Sequence, residues 1–479
     1  MAGINYGLLS VEALTALLAL VVLVVGLLVP KQSRYGLGYL ITFGLAGILA
    51  FTFTQYGINS STLNKMFILD DFAVYFKQLF LVAAILVSMA SVQYVKKMEY
   101  YYGEFYVLIV FATLGMMLMA SAGDLITLYL ALELMTITFY ILTGFKKEDH
   151  KSAEAGVKYL ILGAMSSGIL LYGLSLVYGF TGTTIIADVA TKIAGNGAEP
   201  AVVLGLVLLV AGFGFKISSV PFQMWSPDVY EGAPTPVTAF LAVGSKAAAF
   251  AAILRVFLVA FPDLAVHWKV LFAVLSALTI IIGNLVAIPQ TNIKRMLAYS
   301  SIAQAGYIMT GLVAANELGA KGVAFYGMLY VFATIGAFTV VMNFYAKTGS
   351  DEIKDYAGLA QRSPLMAAVL TVCLLSMAGI PPLAGFAGKF YLFSAVVGQG
   401  YLWLAIIGLI MSMASVYYYL SVVKVMYMAD PADNSAIPIN AASKFTLIAC
   451  LVITAYLGVR PAELAALANK AAAALFSLM

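Results

Sequence analysis

Five ionisable side chains lie within long apolar stretches of the sequence: Glu133, Lys158, Lys216, Lys246 and Lys389. A charge inside a membrane costs roughly 2.5–3.5 kcal/mol on insertion scales, so such groups usually have a function. Burial disfavours the charged form of an amine, whereas a nearby carboxylate favours it. We therefore predict that these groups load and release protons, with Glu133 and Lys216 titrating as a coupled pair.

Uncharged polar side chains near these groups could hold water between the charges. One set follows Lys216 and the other lies near residue 300. The members of the two sets are Ser218, Ser219, Gln223, Ser300, Ser301, Gln304 and Tyr307. Together with the ionisable residues they suggest a proton wire, although each lysine could instead form a static ion pair between helices.

Other charged and aromatic residues have simpler interpretations. Lys77 is expected to snorkel from the end of its span, and Arg255, which does not deprotonate, to form an ion pair or to face lipid. Glu154 is expected to be a helix N-terminal acid, and Glu12 to lie near the end of a span. We expect most tyrosine and tryptophan residues to form the belt at the membrane interface.

The elements that position these groups must be membrane-spanning helices. Apolar residues make up 63% of the 479 residues and charged residues 10%, whereas soluble domains are about half apolar and a quarter charged. A spanning helix needs about 20 mostly apolar residues. The sequence therefore predicts an all-α polytopic membrane protein with about fourteen spans, at 7–29, 36–56, 72–94, 105–122, 124–145, 156–180, 201–231, 236–261, 269–289, 296–315, 320–346, 364–397, 401–427 and 442–459.

Basic residues are distributed unevenly between the predicted loops. Of the 26 Lys and Arg residues, fourteen fall in one alternate set of loops, six in the other and six within spans. Because basic loops stay in the cytoplasm, both termini are expected outside the inner membrane. The net charge of +4 gives only a weak field, with no basic patch for nucleic acid.

Proline interrupts two of the spans. Pro221 and Pro227 lie in the seventh span, and Pro381 and Pro382 in the twelfth. Proline blocks the helix interior, and freed backbone groups are tolerated at membrane depth only beside protein or water. Breaks five spans apart indicate inverted five-helix repeats, spans 4–8 and 9–13.

The predicted segments are 1–104 (three N-terminal spans), 105–261 (first repeat), 262–427 (second repeat) and 428–479 (last span and tail).

Several motifs carry a family resemblance. The sequences are FGFKISSVPFQMWSPDVYEGAPTPVTAFLAVGSKAA at 213–248, LYLALELMTITFYILTGF around Glu133, AGVKYLILGAMSSGILLYG around Lys158, NIKRMLAYSSIAQAGY at 292–307 and MAGIPPLAGFAGKF at 377–390. They resemble the antiporter-like membrane subunits of bacterial NADH–quinone oxidoreductase, the proton-pumping complex I. Within that family, Leu132, Lys389 and the PDVYEGAPTPV motif favour the N subunit over its L and M sisters.

The resemblance implies a fold, a site and an assembly. The family has fourteen spans, inverted repeats and broken helices 7 and 12, and its pumping positions fall on Glu133, Lys158, Lys216, Lys246 and Lys389. Protons would enter from the cytoplasm near Lys216 and Lys246, cross at 300–307 and leave near Lys389, with Glu133 as a gate. The partners would be the other membrane and peripheral subunits, the lipid bilayer and, indirectly, quinone.

The redox chemistry of such a complex is expected in other subunits, which hold NADH, FMN, iron–sulfur clusters and quinone. This chain has two cysteines, too few for an iron–sulfur cluster or a zinc cage, and no dinucleotide-binding glycine motif after a strand. No cofactor or metal site is therefore predicted. Three alternatives remain open: a subunit of a multi-subunit sodium/proton antiporter, a passive membrane scaffold, or a subunit of a related complex with ferredoxin or a deazaflavin as the electron donor.

Overall fold

A computed structural model describes residues 4–30, 34, 36–96, 102–194, 199–431 and 433–477. Lys31 and Lys97, which count among the predicted cytoplasmic charges, lie outside these residues. The helices are α1 Ser10–Leu28, α2 Leu37–Thr52, α3 Asp71–Lys96, α4 Tyr102–Ser121, α5 Leu125–Thr143, α6 His150–Thr181, α7 Ile186–Ile193, α8 Pro200–Lys216, α9 Trp225–Gly232, α10 Thr235–Ala260, α11 Ala265–Ala287, α12 Ile293–Ala314, α13 Glu317–Thr348, α14 Leu359–Arg362, α15 Pro364–Ala378, α16 Ala384–Val397, α17 Leu402–Met428, α18 Ala441–Val459 and α19 Ala462–Phe476.

The predicted class, an all-α polytopic membrane protein, is confirmed. Within the described residues, 11 helices are long and apolar enough to cross a membrane. Two further predicted spans are each divided into two shorter helices, α8 with α9 and α15 with α16. The remaining predicted span is α12, 22 residues long, which carries the polar residues of the predicted wire. The total of fourteen spans stays a prediction.

Short polar side chains set the starts of several helices. The Asp124 carboxylate accepts a hydrogen bond from the Thr127 amide at 2.6 Å, and Asn292 accepts from the amides of Lys294 and Arg295. These caps satisfy amides that have no partner within their own helix. The long apolar runs between such caps therefore fold as helices with ends close to those predicted.

Two helices form the centre of the bundle. The apolar stretches of α10 and α13 are buried on every side, whereas α17 is largely exposed at the surface of the chain. α10 is not regular, because it widens to π-helical turns at Leu241–Ser245 and Arg255–Ala260. Such turns often occur at functional sites in helices, and the first of them directly precedes Lys246.

The two ends of the bundle carry different loops. One end, which we call the basic face, contains residues 144–149, 288–292 and 349–358, and the last two segments pair through Asn292 and Glu352. The other end, the opposite face, carries α7 and an antiparallel hairpin of β1 Ser60–Thr62 and β2 Phe67–Leu69, joined to α7 by an ion pair. Neither the hairpin nor α7 is predicted from the sequence.

Two buried ion pairs show the environments of Lys77 and Arg255. Lys77 does not snorkel: its side chain is fully buried and lies 2.7 Å from the Glu12 carboxylate, which is also buried. Arg255 does not face lipid, because it donates two hydrogen bonds of 3.0 Å to Asp70. Pairing offsets part of the desolvation cost that makes an isolated charge seek the interface.

The aromatic residues are also less peripheral than expected. Trp225 and Trp268 are buried, and each indole N–H donates to a backbone carbonyl, of Phe215 and Phe261 respectively. The fully buried tyrosines include Tyr75, Tyr106, Tyr230, Tyr307, Tyr356 and Tyr419. An aromatic ring with a satisfied polar group packs well inside a bundle, and for the other tyrosine and tryptophan residues the interfacial belt stays a prediction.

We predict that Asp70→Asn lowers the free energy of unfolding by about 3–5 kcal/mol, because it leaves the buried Arg255 charge uncompensated. Asp188→Asn is the matched control, since its ion pair with Lys65 is exposed and such pairs contribute no more than about 1 kcal/mol. Thermal unfolding of the purified protein in detergent measures both. Equal losses in the two variants would contradict the structural role assigned to the Arg255–Asp70 pair.

Candidate functional site

Glu133 and Lys216 face the same interior region from α5 and α8. Lys216 is 3% exposed and donates a 3.0 Å hydrogen bond to the Ser167 hydroxyl, not to Glu133. One carboxylate oxygen of Glu133 is buried without a hydrogen-bond partner, yet the two charges are close enough to interact electrostatically. The acid and the amine are therefore neighbours that are not in direct contact.

Hydroxyl groups occupy the space between this acid and this amine. The Tyr140 hydroxyl lies near both Glu133 and Ser167, and Ser167 in turn binds Lys216. Gly163 makes room for Tyr140, since a Cβ at that position would lie 2.2 Å from the phenol oxygen. Tyr140 and Ser167 are not among the predicted site residues. Tyr140 follows Glu133 by seven residues and Ser167 follows Gly163 by four, and each spacing places the two residues on one face of their helix.

The first helix break places Lys216 at a helix end. Lys216 is the last residue of α8, and the chain turns through Ser218 in a left-handed conformation (φ 59°). The backbone amide of Val220 in the break is satisfied by the Thr279 hydroxyl at 2.9 Å. The Ser218 hydroxyl and the side-chain amide oxygen of Gln223 are buried without a protein partner, so they are available to bind water at the break.

Lys246 connects the two predicted repeats. Its ammonium group, on α10, donates to the backbone carbonyl of Ser301 at 2.9 Å and to the Ser301 hydroxyl at 2.6 Å, both on α12. Tyr230 lies on the other side, with its hydroxyl 3.4 Å from that of Ser301. The adjoining cavity of about 10 Å³ is at the lower limit for one water molecule.

The centre of the site is a cluster of hydroxyl and amide groups on α12, α13 and α17. Ser300 and Tyr419 share a short hydrogen bond. Gln304 donates to the Tyr419 oxygen at 3.5 Å and to the Met377 carbonyl at 2.9 Å, and accepts from Tyr326 at 2.5 Å. Two of the polar residues predicted at 300–307, Ser300 and Gln304, therefore lie in one cluster. Its other two side chains, Tyr326 and Tyr419, come from helices in which no site residue is predicted.

Lys389 lies at the second helix break, as predicted. Its ammonium group donates to the carbonyls of Met377 and Ala378, both at 3.0 Å, and to Ser412 at 2.8 Å. The carbonyls end α15, where no further turn of helix uses them, and the negative end of a helix attracts a cation. Gly379, with φ 86°, allows the chain to leave α15 while passing close to the lysine.

The structure does not bring Lys158 into this buried group. Its side chain is 42% exposed and forms ion pairs with Glu154 at 2.6 Å and Asp228 at 3.0 Å. Asp149 caps the start of α6, so the prediction of Glu154 as a helix N-terminal acid is also wrong. Lys158 belongs to a charged network near the basic face, whose other members are Lys151, Glu231 and Arg295.

Comparisons with known proteins give consistent matches along the chain. The family described as "NADH:quinone oxidoreductase/Mrp antiporter, TM" matches residues 122–415. NADH-quinone oxidoreductase subunit N of Heliobacterium modesticaldum is 56% identical over 474 residues, covering 98% of this chain and 100% of its own length.

Solved structures share the fold. A chain of respiratory complex I from Thermus thermophilus with bound aureothin has a TM-score of 0.82 and 34% identity, covering 96% of this chain and 99% of that one. A chain of the Mrp complex from Dietzia sp. DQ12-45-1b has a TM-score of 0.85 and 22% identity, covering 97% of each chain. At 22% identity, the likeness to the Mrp chain shows a shared fold alone.

We predict opposite effects for two glycine substitutions on α6. Gly163→Ala lowers the free energy of unfolding by about 1–3 kcal/mol, because the methyl group overlaps Tyr140 in a packed interior. Gly168→Ala, the matched control, has nothing within 4 Å of its added methyl group and raises the free energy of unfolding by about 0.5–1 kcal/mol. Thermal unfolding in detergent checks both, and an unchanged or stabilised Gly163→Ala variant would contradict the placement of Tyr140.

Proposed function

The chain belongs to the membrane-subunit family shared by NADH:quinone oxidoreductases and Mrp antiporters, and we propose that it is the proton-translocating N subunit of a respiratory NADH–quinone oxidoreductase. The observation that carries this proposal is the polar connection between Lys246 on α10 and Lys389 at the second helix break. Lys246 contacts Ser301, while the neighbouring Ser300 binds Tyr419, which leads through Gln304 to the carbonyl that Lys389 also binds.

The first half of the site loads and moves the proton toward the centre. Glu133 holds a negative charge near the Lys216 ammonium group, with Tyr140 and Ser167 between them. A change in the charge of Glu133 alters the electrostatic energy of the Lys216 ammonium group, because the two groups are close enough to interact. A proton lost by Lys216 then reaches Lys246 through water bound at the break, by Ser218 and Gln223.

The second half releases the proton. Lys246 and Lys389 bind neutral oxygen atoms only, so each lysine is able to lose its charge without leaving a carboxylate unpaired. When Lys246 becomes charged, it raises the electrostatic energy of a second cation at Lys389. This repulsion favours release of the Lys389 proton on the far side of the membrane.

The chain supplies proton transfer and not electron transfer. We propose that NADH, FMN, iron–sulfur clusters and quinone are bound by other subunits of the complex, and that energy reaches this chain through electrostatic or conformational coupling. Within the described residues, Cys373 and Cys450 are buried free thiols that both lie beside Gly336, and no group of three or more His, Cys, Asp or Glu side chains is placed to hold a metal ion. Those other subunits determine which electron donor the complex uses.

The basic face is proposed to lie in the cytoplasm of a cell with this complex in its inner membrane. The excess of Lys and Arg in its loops supports this orientation, which places both termini outside. The proposed organisation has a three-helix segment at 1–104, inverted five-helix repeats at 105–261 and 262–427, and a last span with the tail at 428–479. The breaks at α8–α9 and α15–α16 hold corresponding positions in the two repeats.

A sodium/proton antiporter subunit is the second candidate, because the Mrp chain from Dietzia shares the fold. The chemistry of the site favours protons. Sodium requires a cage of oxygen ligands, as other hard cations do, whereas Lys246 and Lys389 place ammonium groups on the oxygens along the proposed path. Sodium-dependent exchange without quinone reduction would favour the antiporter.

We predict that Lys216→Ala lowers the number of protons taken up per quinone reduced, because it removes the amine that links Glu133 to the centre. The assembled complex is reconstituted in vesicles, and both reactions are measured together. Lys151→Ala is the matched control, since that side chain is 70% exposed at the basic face and should leave both rates unchanged. Normal rates of both reactions in Lys216→Ala would contradict the proposed path.

A further inference from the structure

A cavity at the basic face extends into the second repeat as far as Tyr418. It has a volume of about 370 Å³ and lies between α11, α12, α17 and the segment after α13. A cavity needs only about 10–15 Å³ to hold one water molecule, so this one has room for several. The polar residues of its wall are Gln290, Thr291, Glu352, Lys354, Tyr418 and Ser421.

Tyr418 separates this cavity from the proposed proton path. Its side chain is 3% exposed and lines the cavity, while its hydroxyl donates a 3.1 Å hydrogen bond to the Asn284 carbonyl oxygen. The Asn284 amide donates to the Tyr307 hydroxyl at 3.0 Å, and the Tyr307 ring lies 4.3 Å below the Lys389 ammonium group. One hydroxyl therefore connects the cavity to the surroundings of Lys389.

The same side chain also contacts the central cluster. The ring centroids of Tyr418 and Tyr419 are 4.4 Å apart, so the two side chains are in contact. Tyr419 is bonded to Ser300. The hydroxyls of Tyr418, Tyr419 and Ser300 thus lead from the cavity to the centre without passing Lys216 or Lys246.

We propose that this cavity is a second uptake site for protons, which supplies the centre and Lys389 directly from the cytoplasm through Tyr418. The proposal rests on the proton-translocating function proposed above. An amide does not relay protons readily, so Asn284 orients Tyr418 and the hydroxyls carry the proton.

The transfer conserves protons at each oxygen. The Tyr418 hydroxyl turns from Asn284 toward Tyr419 and gives its proton to that oxygen, while a hydronium ion in the cavity donates a proton to the Tyr418 oxygen and becomes water. Tyr419 passes its own proton to Ser300 in the same way, and Ser300 gives its proton to a water molecule at the centre. Each hydroxyl ends neutral, and one proton has moved from the cavity to the centre. The carboxylate of Glu352 lies at the cavity wall, where its charge attracts cations from solution.

Cysteine labelling tests whether the cavity holds water from the basic face. Ser421 is exposed and lines the cavity, whereas the adjacent Leu420 is also exposed but does not line it, so Ser421→Cys and Leu420→Cys form a matched pair at the same depth. A membrane-impermeant, positively charged methanethiosulfonate is added to inside-out vesicles containing the assembled complex. We expect labelling of Ser421→Cys only. The unsubstituted chain is the blank, because Cys373 and Cys450 are buried.

Removal of one hydroxyl tests whether the cavity feeds the path. Tyr418→Phe keeps the ring and is expected to lose proton uptake per quinone reduced, whereas Tyr417→Phe, at a 65% exposed neighbour, is expected to keep it. Absence of labelling at Ser421→Cys, or equal proton uptake in the two phenylalanine variants, would overturn the second uptake site. If Lys216→Ala pumps normally while Ser421→Cys is labelled, the proposed path through Lys216 fails but the water-filled cavity stands.

Discussion

A membrane interior offers no water to satisfy a charge or an interrupted backbone, and this constraint explains the main features of the structure. Each helix break leaves carbonyls or amides without helical partners. At the second break the Lys389 ammonium group occupies the carbonyls that end α15, so the break and the charge satisfy each other. At the first break the Thr279 hydroxyl and the Trp225 indole bind the freed backbone groups around Lys216.

The same constraint divides the buried charges into two classes. Arg255 with Asp70 and Lys77 with Glu12 are matched ion pairs, in which loss of either charge would leave the other buried and unpaired. Lys246 and Lys389 instead bind neutral oxygens, and Lys216 binds a hydroxyl with its carboxylate neighbour nearby. The first class fastens the helices together, whereas the second contains the groups to which we assign proton transfer.

Much of the fold could be predicted from the sequence, because apolar length and proline act locally. The helix breaks at Pro221 and Pro381 and the burial of Lys246 follow from that pattern. Contacts between distant helices do not, so Tyr140, Ser167, Tyr418 and Tyr419 were missed. Burial of Lys77 depends on Glu12, 65 positions away in the chain, and exposure of Lys158 depends on Asp228; neither partner can be identified by spacing.

The central claim is that one polar connection joins the two halves at the bond between Ser300 and Tyr419. Tyr419→Phe removes this bond and keeps the buried ring. The most direct measurement is the number of protons taken up per quinone reduced by the assembled complex in vesicles, compared between Tyr419→Phe and the unsubstituted protein. The account predicts loss of proton uptake by this subunit and hence a lower proton count. An unchanged proton count at a normal rate of quinone reduction would contradict it.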